Sequence, residues 1–501
     1  MIDKENYYKA YEGRDMVILD KHASSTIEED IQCFDDSLEN HFAHVIMLAE
    51  QGIIPKEDAS AILKALLKLK DIGPENIKYR EGLTDLFSNV QEWVIDEIGI
   101  EVGGKMHTGR SRNDMNSTIE RQHVRKTILE LAEAMTLLLK TLLVEAEKHK
   151  DTVIPGYTHH SQQAQPITLG HFYTSCFQMF ARDLDRILGS YDRVNKSTMG
   201  GAALAGTEFD VDRKRVADLL GFDGYLVNTM DATATVDFAY EPAAMMAIYA
   251  NNIGRMSESL LLWNLNEVGI SRLALPYCSY STIMPQKRNP VSIETLRYAG
   301  ESAYGTLQTM FTSMKAYTQG NGREPGFVIS GYYDIAQRMI DTTYLLEGVV
   351  RTLEVNKERA LQVTADGFST VTDLADKMVM SYGLSFSAAK AIVGRVVVNA
   401  DREKKSVHDI DPDYIDRAAE EVLGIKVGMS QEDIRNSLDP MENVKRRRIP
   451  GSPSPECVQQ MIDDGFRYVE KAEADWRDRK DALEAARTRL FDLALKMTQE
   501  A

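Results

Sequence analysis

Residues 281–294, Ser-Thr-Ile-Met-Pro-Gln-Lys-Arg-Asn-Pro-Val-Ser-Ile-Glu, set a hydroxyl (Ser281), a cation (Lys287), an amide (Asn289) and a carboxylate (Glu294) in one short run. Such a hydroxyl can serve as base or nucleophile once a neighbouring charge favours loss of its proton. Pro285 and Pro290 interrupt the run. Each fixes its own φ and turns the preceding residue away from helix, so Met284 and Asn289 are expected to be extended. The run reads as a loop that opens a helix near Ser292. Two further segments carry chemistry. Residues 107–114, His-Thr-Gly-Arg-Ser-Arg-Asn-Asp, combine a tight turn at Gly109 with the charges of Arg110 and Arg112 and the donors of Ser111 and Asn113. An anion held there gains charge-assisted hydrogen bonds, and a helix starting just after would add its N-terminal amides. Residues 155–166, Pro-Gly-Tyr-Thr-His-His-Ser-Gln-Gln-Ala-Gln-Pro, put His159 and His160 beside Thr158, ahead of a glutamine-rich turn. Imidazoles can move protons near neutral pH.

The elements that must position these segments are helical. Strand-like alternation is scarce, and the proline-free stretches 75–154, 167–241 and 326–411 are rich in helix formers. The expected fold is all-α in three domains: an N-terminal helical domain over 1–110, a central long-helix bundle over 111–364 and a C-terminal helical domain over 365–501. The first includes two helices within 35–70, joined at 52–55. The middle is apolar on most helix faces, as at Ile128, Leu131, Met135, Leu138, Leu139, Leu142 and Leu143. Helices of that kind are covered on most sides, so a bundle shared between subunits is expected. The tail from Pro455 reads as one long charged helix with a packing stripe at Trp476, Leu483, Leu490 and Met497. Residues 368–376 read as a capped helix start.

A chain of 501 residues with a net charge of −18 is a poor partner for nucleic acid or an anionic membrane surface. Cys33, Cys176, Cys278 and Cys457 are widely spaced, with no Cys-x-x-Cys pair. The start is polar and no long uncharged apolar run occurs. A soluble cytoplasmic protein without structural zinc is the expectation.

The segments also resemble a known family. The 281–294 run is similar to the signature loop of the fumarase/aspartase superfamily, Gly-Ser-Ser-x-Met-Pro-x-Lys-x-Asn-Pro. Ser281, Met284, Pro285, Lys287, Asn289 and Pro290 are kept, with Tyr280 at the Gly and Thr282 at the second Ser. The 107–114 octapeptide resembles a marker of argininosuccinate lyases. Residues 155–166 are similar to Pro-Gly-Tyr-Thr-His-Leu-Gln-x-Ala-Gln-Pro with one residue extra. Counted from Tyr157 the family histidine is His159; counted back from Ala164–Pro166 it is His160. The unbroken upstream match favours His159, with the extra residue absorbed at the start of the following helix. Asp85, the stretch 201–207, and residues 368–392 and 438–455 extend the resemblance over most of the chain, which is identified as a member of the argininosuccinate lyase family.

That resemblance implies β-elimination from an N-substituted aspartate, giving fumarate and an amine, with no metal or cofactor. It implies Ser281 as the base, and Lys287, Asn289, Ser111, Asn113 and Thr158 as holders of the aci-carboxylate. His159 or His160, paired with Glu294, would handle a proton. Arg110, Asp85, Tyr317 and Arg323 would complete the substrate contacts. It further implies a homotetramer whose sites are each assembled from three subunits. Two departures stand out. The family's Ser-Asp-Arg-Asp-Phe is Ala234-Thr-Val-Asp-Phe238 here, without the arginine. The family's Ala-Tyr-Asn-x-Asp-x-Gln-Glu-Asp-Lys-Glu-Pro is the shorter Ala316–Pro325, where Tyr317 is kept and Arg323 takes the lysine's place. The half that handles the dicarboxylate is intact and the half that reads the amine is altered. The substrate is then argininosuccinate or a related aminocarboxylate such as ethylenediamine-disuccinate. The alternatives are a divergent strict argininosuccinate lyase and a crystallin-like structural protein; the last predicts loss of site residues that are all present.

Overall fold

The computed structural model describes residues 31–77, 85–159, 161–320 and 322–500. The chain is built from long helices around three hydrophobic cores. In the first region α1 (Phe34–Glu50) and α2 (Lys56–Ile72) form the expected pair, and α3 (Leu86–Ile98) packs on α2. Phe42, Ile46, Leu63, Leu66 and Val90 make the first core, joined by Phe222 and Leu220 from later in the chain.

The central bundle is the second core. It comprises α4 (Arg112–Lys148), α5 (Leu169–Val194), α6 (Asp237–Asn264), α7 (Val291–Ser313) and α8 (Glu324–Thr352). Buried residues cover most of α4 from Met115 to Ala146, leaving one exposed stripe at Asn116, Glu130, Leu137 and Val144. Its 37 residues span roughly 55 Å at ~1.5 Å per residue. Pro242 lies inside α6, in its second turn, and leaves the helix without the N–H that would reach the carbonyl of Phe238.

The third core is small. It is made by α10 (Val371–Tyr382), α11 (Phe386–Glu403), α12 (Pro412–Leu423) and α13 (Gln431–Leu438), reached from the bundle through α9 (Lys357–Asp366). The expected cap at 368–376 takes a different form: Thr370 makes no side-chain cap, and the Ser369 hydroxyl turns back to the carbonyl of Thr364. After α14 (Pro440–Arg446), α15 runs unbroken over Pro455–Glu500. Its stripe is a packing stripe. Trp476 lies in the second core and Leu490 in the first, so α15 leaves the C-terminal region and returns along the other two.

Among the described residues three two-stranded sheets interrupt the helices. Two matter here: β1 (Val153–Thr158) with β2 (Gln162–Thr168), and β3 (Ser279–Tyr280) with β4 (Arg288–Asn289). The glutamine-rich turn expected at 155–166 is therefore an antiparallel hairpin. The extra residue is not taken up at a helix start, since α5 begins only at Leu169. Between the Pro155–Pro166 and Tyr157–Gln163 pairs, β2 carries one residue more than β1. Gly156 stands opposite this bulge, and a Cβ there would lie 2.4 Å from the carbonyl of Gln165.

Candidate active site

The octapeptide 107–114 straddles the start of α4. Gly109 has φ +73°, and Ser111 is the N-cap, its hydroxyl accepting from the amide of Asn113. Asp114 completes a capping box by accepting from the Ser111 amide at 2.9 Å. Its other oxygen accepts from the amides of Gly200 (2.9 Å) and Ala202 (2.8 Å). Asn113 donates to the carbonyl of Ala203 at 2.8 Å, and Thr198 to that of Asp114 at 2.7 Å. The 198–203 turn is thus stitched to the head of α4, and Ala202 is held there at φ +50°. Burial pushes the Asp114 carboxyl up to about 6 against these accepted bonds.

The cap separates the two arginines. Arg110, before it, points inward and is buried, its guanidinium lying over Phe87 and donating to His41 Nδ1 at 2.8 Å. Burial lowers this arginine to about 9. It also pushes His41 and His44 well below the usual histidine range and His107 down to about 4, with the charge of Arg110 acting in the same direction. Arg112, one step after the cap, points outward and pairs with Asp85, which itself caps α3 through the Ser88 amide. Arg112 rather than Arg110 lines the adjoining cavity.

That cavity lies among the first turns of α1, α3, α4 and α8. Asp85, Arg112, Asn113, Glu120, Val236 and Tyr333 are on its wall, together with Ala234, Thr235, Gly322 and Pro325. Both stretches in which the chain departs from the family pattern, 234–238 and 316–325, therefore contribute to one wall. The Tyr317 hydroxyl stands beside Gly322, where a Cβ would approach it to 2.6 Å. Burial and the nearby Glu324 raise this phenol. Arg323 is the exposed N-cap of α8.

The 281–294 run is a hairpin that leads into a helix. Ser279 pairs with Asn289 and Tyr280 with Arg288, and α7 begins at Val291, close to the expected start. The Ser281 oxygen accepts from the amides of Met284 (3.0 Å) and Ile283 (3.4 Å). Two N–H groups aimed at one oxygen favour its anionic form. Lys287 is exposed, and Glu294 sits exposed in the first turn of α7. Lys287 and Arg288 line a second groove, with Arg272, Glu354 and Lys357.

Thr158 and His159 are exposed at the tip of the β1–β2 hairpin; His160 lies outside the described residues. The three segments thus form separate groups in one chain. Asp85, Ser111, Asn113, Tyr317 and Arg323 gather near the first cavity, Ser281, Lys287, Asn289 and Glu294 on the second hairpin, and Thr158 and His159 on the first. Among the described residues none are grouped to hold a metal ion. No helix among them is long and apolar enough to cross a membrane.

Comparison with known proteins places this arrangement. Residues 24–305 match a lyase family and residues 368–445 match the argininosuccinate lyase C-terminal family. A solved structure of EDDS lyase in complex with formate superposes with a TM-score of 0.87 at 34% identity, covering 96% of this chain and 94% of that one. Class II fumarase from Schistosoma mansoni shares the fold, with a TM-score of 0.70 at 17% identity over 86% of this chain and 95% of that one. Fold and segments together define a carbon–nitrogen lyase of the fumarase/aspartase superfamily. Argininosuccinate lyase from Methanocaldococcus jannaschii is 37% identical over 88% of this chain and 89% of its own. That from Methanosarcina acetivorans is 36% identical over 95% of each. The chain belongs to the argininosuccinate lyase family.

Proposed function

We propose that this enzyme releases fumarate by reversible β-elimination from an N-substituted aspartate, and that the amine it handles is not confined to arginine. The observation that carries the second part is the cavity beside Asn113. The two stretches that depart from the family pattern lie on its wall, and Val236 puts an apolar side chain where the family pattern has an arginine. Its similarity to EDDS lyase supports an aminocarboxylate such as ethylenediamine-disuccinate as a substrate. A strict argininosuccinate lyase is the second reading, supported by the 37% identity to the Methanocaldococcus jannaschii enzyme.

In the proposed mechanism Ser281, as the alkoxide, takes the Cβ proton. The amides of Ile283 and Met284 already face its oxygen, and Lys287 follows within the same hairpin. The dianionic aci-carboxylate needs fixed donors, which Lys287, Asn289, Ser111, Asn113 and Thr158 supply; each such donor is worth roughly 3 kcal/mol. His159 or His160, with Glu294, handles the second proton. Arg110 acts from behind, holding the turn that presents Ser111, while Arg112, Asp85, Tyr317 and Arg323 face the amine half.

Because the groups are separate within one chain, the complete site is assembled from neighbouring subunits of a homotetramer. Tyr298, Tyr304 and Phe311 of α7, with Phe327 and Tyr344 of α8, are 46–64% exposed and supply an apolar face for that assembly. Light scattering at micromolar concentration is expected to give four times the chain mass; a monomer would refute the shared site. The function itself is tested with purified protein, fumarate and a panel of amines including arginine and ethylenediamine, following loss of fumarate absorbance. Arginine as the sole accepted amine would select the strict reading. No loss with any amine, and no fumarate from argininosuccinate or ethylenediamine-disuccinate, would overturn both.

A further inference from the structure

The tip of the β1–β2 hairpin is strained. His159 has φ +44° and Ser161 φ +68°, and neither is a glycine. Left-handed backbone at such residues persists only where the surroundings over-determine it. The tip is closed by the Thr158–Gln162 pair, and the next residue, Gln163, reaches out of the hairpin. Its Nε2 donates to the carbonyls of Val363 (3.1 Å) and Thr364 (3.3 Å). Both belong to the last turn of α9, whose final carbonyls have no donor within the helix. The amide therefore caps α9 and tethers the hairpin at once.

Gly367 makes room for this tether. A Cβ on it would lie 2.2 Å from Gln163 Oε1 and 2.9 Å from Cδ. Its own backbone, φ −90° and ψ 164°, is extended and open to any residue. Conformational freedom thus gives no reason for a glycine here; space for the Gln163 amide does. Gly367 also lies in the connection from α9 to α10, the first helix of the third core, and α14 of that end of the chain lies against both strands.

We propose that Gln163 is a positioning residue. Its amide, seated over Gly367, fixes the hairpin tip on the end of α9 and so sets Thr158 and the acting histidine. The proposal rests on the reading above that the tip takes part in the reaction. It also makes the junction between the bundle and the C-terminal region part of what positions that tip.

Two substitutions reach the tether from opposite sides. Gln163→Ala removes the amide, and Gly367→Ala expels it while leaving the backbone at 367 unstrained. Each is expected to lower kcat for fumarate release about tenfold, a change equivalent to roughly 1.4 kcal/mol. Argininosuccinate and ethylenediamine-disuccinate serve as probes. KM, tetramer mass and melting temperature should stay near wild type, and the histidine limb of the kcat/KM pH profile should move. Amide hydrogen exchange over 157–163 should quicken equally in both, a readout that needs no substrate. The double variant should be no worse than either single one. Wild-type kcat, pH profile and exchange in Gln163→Ala would overturn the tether, as would losses that multiply in the double variant. His159→Asn and His160→Asn separate the two levels. If both keep wild-type kcat, the reading of the tip fails and the positioning role falls with it. If one loses activity while Gln163→Ala does not, only the tether fails.

Discussion

The head of α4 and the β3–β4 hairpin both carry residues assigned to the dicarboxylate, yet they are held in opposite ways. Around Ser111 and Asn113, one carboxylate accepts three backbone amides, an arginine is buried behind the turn, and the 198–203 segment is tied down. Around Ser281 there are two ladder pairs at the base of the hairpin, and a loop whose Ile283 is 82% exposed. The first is a platform whose donors are fixed before anything binds. The second has little interior of its own, and on the proposed reading it takes its working position against another subunit. A site that divides its donors this way can bind on rigid groups and do chemistry on a group that arrives.

The largest expected effect lies on the loose side. Ser281→Ala should abolish elimination while leaving fold and assembly intact. Retention of more than about a tenth of wild-type kcat, a loss under roughly 1.4 kcal/mol, would show that Ser281 is not the base. The hairpin tip comes next. His159→Asn is expected to cost about 10²-fold in kcat and His160→Asn roughly tenfold or less, since only one imidazole can meet the carboxylate of Glu294. The reverse order would mean that the register is set from β2 rather than from Pro155–Thr158.

On the rigid side the effect is one of stability before activity. Asp114→Asn keeps one acceptor but turns an amide donor toward a backbone N–H, at a cost of about 2–3 kcal/mol. The melting temperature should fall and the amides of Gly200 and Ala202 should exchange faster. An unchanged melt would mean the platform is held by something other than this carboxylate.

The smallest effect is a pH dependence of that same region. His41, His44 and His107 are neutral in the fold, with values below the unfolded 6.5, so the unfolded chain takes up protons first as pH falls. Their contribution is present above about pH 6.5 and is lost below it. Asp114, raised to about 6, runs the other way and gains stability as pH falls through that value. Three imidazoles outweigh one carboxyl, so calorimetry should show a lower melting temperature at pH 5 than at pH 7. His107→Gln should make the decline shallower. A melting temperature that rises toward pH 5 would put Asp114 in control.

Much of this was legible in the residues. The helical architecture, the long tail helix and the helix start after Pro290 follow from composition, spacing and proline. Two features were not. The 155–166 hairpin has no alternation of apolar and polar residues to announce it; its strands are polar near the tip and are set by packing against α9 and α14. The roles of Arg110 and Arg112 were equally hidden. They are two residues apart in one motif, and only the position of the N-cap between them sends one inward and the other to the cavity.

The path of α15 has a consequence for how the chain is made. Its end pairs Arg487 with Asp35 and Glu39, and sets Phe491 edge-on to Phe42 at 5.2 Å. The partners of the first core are thus 452 residues apart in the case of Arg487 and Asp35. At about 5–20 residues per second, α1 leaves the ribosome on the order of half a minute before the helix that completes its packing. During that interval the surface of α1 and α2 that will receive Leu490 and Ala494 stays uncovered. The first core is therefore completed only when the last helix emerges.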